Sequence, residues 1–359
     1  MSIFRSKINS ELKNVWRYAG FYPMIKKENR LTLNEGNTPE ISMPNIAKEL
    51  GFKELIFKRE DLNPNGSHKD RLLAYQVSRA KENGEKVLII SSSGNAAVSA
   101  AAYCQLAGIK LFIFVSPKID KEKLIKMAGC GAKIIISKHA LTLADLASKK
   151  FKIRNLRPGA DEKSYYGLKS IAFEIFEHCG EIDAIFIPTS SASTVIAIAE
   201  AFDDLAQSGE IKKIPAIYVV QTAKVHPIAG HFDKKFIGGN ESLARGIVAK
   251  NIPEEKLVNI LMVIKNSAGG GAVVADVDIT EASKILEKNN IETGYESAAG
   301  FAGAIKLREK VKGKKVVVLL TGKKTNGKIE DIESRNIFRA ENIDEVEEVF
   351  KRLEFNFKV

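Results

Sequence analysis

The segment KREDLNPNGSHKDRLLAYQVSRA carries the residue with the most chemical promise, Lys69. Asn63, Pro64, Asn65 and Gly66 are turn formers and Ser67 is a helix-capping type, so the lysine falls in the first turn of a helix. There the positive end of the helix dipole disfavours an ammonium and lowers its pKa. A neutral amine can attack an aldehyde and form a Schiff base. In isolation, however, a lysine in such a helix start is an exposed surface residue far more often than a catalytic one.

Two further loops share this design of small polar residues placed between an apolar run and a helix. In KVLIISSSGNAAVSAAAY the loop Ser91, Ser92, Ser93, Gly94, Asn95 closes a strand-like run. Gly94 permits close approach of backbone to a ligand, the amides from Ser92 to Asn95 can receive a carboxylate, and the Asn95 amide can donate to an oxygen on a cofactor ring. Simple helix capping by Ser93 or Asn95 explains the same pattern equally well. In AIFIPTSSASTVIAIAEAF, residues 189–194 offer hydroxyls and N–H groups ahead of an apolar helix, a workable phosphate cradle. The absence of glycine there restricts the backbone, so a Ser/Thr-rich cap competes with that reading. Near the C-terminus VVVLLTGKKTNG ends in Thr321-Gly322, where a hydroxyl can bond a ring nitrogen without protonating it. The small residues of YESAAGFAGAIKL are explained by close helix packing.

Such loops need parallel strands to hold them, and the chain supplies candidates. Runs at 54–58, 86–91, 110–115, 133–137, 184–188, 216–221 and 315–322 are continuously apolar, as in strands covered on both faces. Helical stretches at 69–83, 95–107 and 194–207 fall between them. The alternation predicts an α/β protein with mostly parallel sheets. Seven strands exceed one small doubly wound sheet, so two domains sharing a cleft are expected, with 51–160 as the smaller and 1–50 plus 161–359 as the larger.

Composition bounds the rest. With 359 residues, 45% hydrophobic and 28% charged, the chain can bury a sizeable core without disulfides. Cys104, Cys130 and Cys179 are widely spaced and form no metal-ligand pattern, so reduced thiols and no metal are expected. The start of the chain lacks an apolar signal segment and no run is long enough to span a bilayer, which predicts a cytoplasmic protein with no membrane partner. The net charge of +11 comes from lysines interleaved with acids, as in KENGEK and KIDKEK; this describes a solvated surface rather than a nucleic-acid face, and it is compatible with small anionic substrates.

Taken as an ordered set, these segments resemble the fold-type-II pyridoxal-phosphate enzymes, and among them the threonine synthases. NPNGSHKDR is similar to the family's N-P-T-G-S-F-K-D-R, and SSSGNAAVSAAAY to its S-S-G-N-x-A-A-S-x-A-A-Y. VWRYAGFYP, LNEGNTPEI, YGLKSIAFEI, VVQTAKVHPI, SLARGI, YESAAGFAGAIKL and LLTG follow in family order. The resemblance implies a two-domain fold, each domain a mostly parallel sheet flanked by helices, with the active site in the cleft between them. It implies that Lys69 bears pyridoxal 5'-phosphate and acts as base on the substrate α-carbon. Asn95 would bond the ring 3-oxygen and Thr321 would face the ring nitrogen. Ser190, Ser191, Ala192, Ser193 and Thr194 would hold the cofactor phosphate, while Ser92, Ser93 and Gly94, with Asn95, would hold the substrate carboxylate.

Departures from the family pattern define what to look for in the structure. The phosphate loop reads Ser-Ser-Ala-Ser-Thr where the family is glycine- and asparagine-rich. Ser164, Tyr166 and Leu168 stand where the family has arginine, glutamate and glutamine, and His68 where it has phenylalanine. The resemblance implies threonine synthase activity in a homodimer. The departures leave two alternatives, a lyase or β-replacement enzyme acting on another amino acid and a catalytically weak cofactor-binding paralogue.

Overall fold

The computed structural model describes residues 3–157, 164–248, 252–324 and 336–353. In chain order the strands are β1 Glu40–Ser42, β2 Glu54–Lys58, β3 Val87–Ser91, β4 Lys110–Val115, β5 Lys133–Ile136, β6 Ala184–Pro188, β7 Ala216–Thr222, β8 Gly270–Val274, β9 Lys315–Leu319 and β10 Ile337–Arg339. The helices that matter for the site are α1 Lys69–Glu82, α2 Asn95–Ala107, α3 Ser170–Cys179, α4 Ser193–Gln207 and α5 Tyr295–Lys306. The α/β expectation is met.

The chain divides into two compact units. One comprises 1–23, 34–68 and 168–324, the other 24–33, 69–167 and 325–359. The larger holds a six-stranded sheet in the order β1-β2-β9-β6-β7-β8, parallel throughout except for β1 against β2. Its core packs Leu55, Phe57, Phe186, Val220, Val316 and Val318 from the sheet against Phe301 and the alanines of α5. Helix α5 lies close because it is built of small residues: a Cβ at Gly303 would sit 2.4 Å from the Val220 side chain, and one at Gly300 would sit 3.0 Å from Pro188. The packing role expected for this segment is thus met.

The smaller unit holds a four-stranded parallel sheet, β10-β5-β4-β3. Ile89, Phe112, Phe114 and Ile135 form its core with Leu143, Val346 and Phe350. The unit boundaries run differently from the expected 51–160. Strand β2 pairs with β1 and β9, which puts 51–68 in the larger unit. At the other end β10 adds to β5, and the Phe350 ring packs tilted at centroid distances of 4.2 Å from Phe112 and 5.1 Å from Phe151, drawing the C-terminal segment into the smaller unit. The chain passes from one unit to the other between His68 and Lys69.

The strands expected from continuous apolar runs are all present, shifted at their ends by a few residues at most. Three others were not legible. Strand β8 reads GGAVV, and its glycines look like loop; neighbouring Gly269 meets the Ile217 carbonyl so closely that a Cβ would lie 2.0 Å from it, and a Cβ on Gly271 would lie 2.8 Å from Ala229. Strands β1 and β10 are three residues long each, too short to show a period.

Candidate active site

In the larger unit, the loop that ends at His68 is tied down by buried polar contacts. Arg59 holds the Asp61 carboxylate through Nε at 2.9 Å and Nη2 at 2.8 Å, and the Asp61 amide donates to the Leu320 carbonyl at 2.9 Å. Burial raises the Asp61 pKa, and the Arg59 guanidinium works against that rise. Glu60, fully buried, accepts from the Thr38 hydroxyl at 2.6 Å and from the Asn63 amide at 2.9 Å. The Asn63 side-chain oxygen in turn accepts from the Gly36 amide at 2.9 Å. Gly66 adopts φ +81°, a left-handed turn that favours glycine, and its carbonyl accepts from the Lys323 amide at 2.9 Å. Ser67 then bridges Gly322 in antiparallel fashion.

The Thr321-Gly322 end of β9 is clamped by the start of α5. Ser297 Oγ donates to the Gly322 carbonyl and accepts from the Gly322 amide, both at 3.0 Å, while Thr293 Oγ1 donates to the same carbonyl at 2.9 Å. The sequence reading credited this small-residue segment to packing alone, and the positioning role of Ser297 was missed. A serine in the first turn of a helix rich in Gly and Ala was the available signal.

The 190–194 loop joins β6 to α4 in the same unit. Thr189 points inward, donating to the Ile187 carbonyl at 2.7 Å, so it takes no part in the loop's mouth. Ala192 caps the helix in the left-handed region, φ +62° and ψ +7°, with no side-chain cap bond. An L-residue there costs about 1–2 kcal/mol, so this chain keeps a glycine-type turn while carrying an alanine. Ser191 and Ser193 hydroxyls lie 3.5 Å apart. The first amides of the 15-residue α4 have no intrahelical acceptor, by the geometry of any helix start, and suit an anion. His68 reaches this loop: its Nε2 is 3.2 Å from Thr194 Oγ1, and its Nδ1 is 3.0 Å from the Thr321 carbonyl oxygen. The larger unit therefore gathers the 190–194 loop, His68 and Thr321.

The smaller unit gathers Lys69 and the 92–95 loop. Half-buried Lys69 is the first residue of α1 and Asn95 the first of α2, and the two helices pack together. Ser92 Oγ accepts from the Gly94 amide at 3.2 Å, and Ser93 Oγ accepts from the Ser116 amide at 3.0 Å. Since both hydroxyls act as acceptors in these contacts, their protons are directed elsewhere, as a carboxylate ligand requires. Gly94 has an ordinary extended φ of −122°, and a Cβ there would meet only Ser92 Oγ, at 4.0 Å. Neither conformation nor packing demands glycine at 94, and the space beside it is open.

One more segment lies against the start of α1. A Cβ on Gly167 would fall 2.0 Å from the Arg71 carbonyl, so only glycine allows the approach. Beside it Tyr166 packs on Tyr75 with ring centroids 5.4 Å apart, and Ser164 is 1% exposed with its hydroxyl lacking a hydrogen-bond partner among the described residues. Leu168 is fully buried. Residues 162 and 163 of the same stretch lie outside the described residues.

The three cysteines are free thiols, and burial raises all their pKa values, that of Cys179 to about 11, which argues against a nucleophilic role. Among the described residues no helix is long and apolar enough to cross a membrane.

An α/β scaffold that presents polar loops at helix starts, with a lysine at one of them, is compatible with a cofactor-dependent enzyme. Residues 31–322 match the family described as pyridoxal-phosphate dependent enzyme. The threonine synthase of Methanocaldococcus jannaschii is 31% identical over 345 residues, covering 89% of this chain and 82% of that one. The threonine synthase of Synechocystis is 31% identical, covering 85% of this chain and 81% of its own. Among solved structures, maize serine racemase superposes with a TM-score of 0.67 at 21% identity, covering 80% of this chain and 90% of that chain, a likeness of fold. The chain belongs to the pyridoxal-phosphate-dependent enzymes, within the family of the threonine synthases, and it is a lyase that uses that cofactor. The residues present suit the cofactor: a lysine at a helix start, an uncapped helix preceded by hydroxyls, and a glycine whose side is left open.

Proposed function

We propose that this enzyme converts O-phospho-L-homoserine and water into L-threonine and phosphate. The observation that carries the reading is the relatedness to threonine synthases over most of both chains. Pyridoxal phosphate, when bound, supplies the electron sink that makes protons on the substrate's α- and β-carbons removable. Lys69 would hold it, and the Lys69 amine would take the proton from Cα and redeliver it along the substrate. Ser190, Ser191, Ala192, Ser193 and Thr194 grip the cofactor phosphate through hydroxyls and helix-start amides. Asn95 donates to the ring oxygen. Thr321 offers the ring nitrogen a neutral hydroxyl, which keeps the sink weaker than a carboxylate would and favours elimination and replacement over transamination. The Ser92 and Ser93 hydroxyls, with the Gly94 and Asn95 amides, hold the substrate carboxylate.

Simultaneous measurement of phosphate and threonine tests the reading. Equal release of both from O-phospho-L-homoserine, lost in Lys69→Ala, is expected. Cofactor-loaded protein that releases neither would overturn it.

A second reading has its own observation. Ser164 is buried, uncharged and without a hydrogen-bond partner among the described residues where the resembling family carries an arginine, and Tyr166 is engaged with Tyr75. A substrate lacking a phosphate, such as serine or threonine, fits a pocket without that cation. Ammonia release from these amino acids, with none of the threonine-forming activity, would favour it.

A further inference from the structure

The turn that opens α4 is held without help from its own cap. Ala192 sits at φ +62° with a side chain that cannot accept a hydrogen bond, and the residue is 3% exposed. A non-glycine residue in that region persists only where surrounding structure fixes it. Thr194, two residues on and 7% exposed, is bonded through Oγ1 to His68 Nε2. His68 is 8% exposed and is itself anchored twice to one carbonyl: its backbone amide donates to the Thr321 oxygen at 3.1 Å and its Nδ1 lies 3.0 Å from the same atom. A carbonyl only accepts, so Nδ1 carries the ring proton and Nε2 faces Thr194 with a defined polarity. The imidazole is thereby a fixed strut between the end of β9 and the first turn of α4.

We propose that His68 is a positioning residue for the phosphate loop, holding the uncapped first turn of α4 in its anion-ready form through Thr194. The proposal rests on the reading that residues 190–194 grip the cofactor phosphate. Its sequence neighbour is Lys69, so one dipeptide carries both the cofactor-bearing amine and the strut that sets the phosphate loop. The cofactor's two ends are thus referred to adjacent residues.

The proposal separates from a merely structural role because only the phosphate should feel it. Pyridoxal, which lacks the phosphate, serves as the comparison ligand. Apparent dissociation constants for pyridoxal phosphate and pyridoxal are measured by absorbance titration of the apoprotein, along with the 31P resonance of bound cofactor. His68→Phe removes both ring bonds, and loss of a buried hydrogen bond of this kind translates into about a tenfold loss of affinity. That loss is expected for pyridoxal phosphate alone, with a shifted 31P signal. His68→Gln, whose amide reaches Thr194, restores most of the preference; His68→Asn, whose amide reaches only the Thr321 carbonyl, does not. Thr194→Val reproduces the His68→Phe loss, and the double variant is no worse than either single one. Equal weakening of both ligands by His68→Phe, or additive losses in the double variant, would overturn the proposal. If Thr194→Val and Ser191→Ala leave the preference for the phosphorylated ligand intact, the reading of the 190–194 loop fails instead.

Discussion

Two loops at helix starts invite comparison, 92–95 ahead of α2 and 190–194 ahead of α4. The first contains a glycine whose backbone needs none: Gly94 is extended, with open space where a Cβ would go. The second contains an alanine whose backbone favours glycine: Ala192 is left-handed and buried. Glycine thus stands in the loop whose own backbone does not require it. The loop without glycine keeps its shape because other residues impose it, with His68 and the neighbouring hydroxyls standing in for conformational freedom.

Variants can break this contrast. Gly94→Val places a branched side chain in the open space and should lower kcat/KM by about a hundredfold, the scale of a misplaced substrate, while the melting temperature hardly moves. A large loss of stability instead would show that the space serves folding. At the second loop Ala192→Val forces a β-branched residue into the left-handed region and should destabilise the fold by about 2 kcal/mol in denaturant titration. Ala192→Gly relieves that strain but loosens the unfolded chain, leaving a net gain of about 0–1 kcal/mol.

Ser297→Ala tests the clamp on Gly322 that both helix α5 and strand β9 depend on. Removing a hydroxyl that donates and accepts in a buried site should cost about 1–3 kcal/mol, measurable as a lowered urea midpoint. The smallest effect lies away from both loops. His178 Nδ1 is 2.9 Å from Glu40 Oε2, and that hydrogen bond raises its pKa against the opposing effect of burial. A raised folded pKa gives stability that is complete below the unfolded value and fades as pH climbs through the folded one. His178→Asn should therefore be destabilised by well under 1 kcal/mol at pH 5.5, the discount for a partly exposed pair, and match the parent at pH 9.

Much of this was legible in the chain. Buried parallel strands announce themselves as apolar runs, and Lys69 and Asn95 each open a helix as expected, although Gly94, not Ser93 or Asn95, takes the cap position of the second. What escaped has a common cause, since its meaning lies in distant partners. His68 looks like a substitution of one ring for another until Thr194 and Thr321 are seen against it, 126 and 253 residues away. Ser297 looks like one small residue among many until Gly322 returns to it. Strand β8 hides behind glycines that exist to let Ile217 and Ala229 approach.

The most direct test of the account concerns Lys69 itself. The protein is loaded with pyridoxal phosphate, the imine is reduced with borohydride, and the digest is searched by mass spectrometry for the modified lysine. A single modified peptide spanning Lys69, absent from Lys69→Ala, is the expected result. Modification fixed on another lysine, or cofactor bound with no lysine modified, would contradict the account.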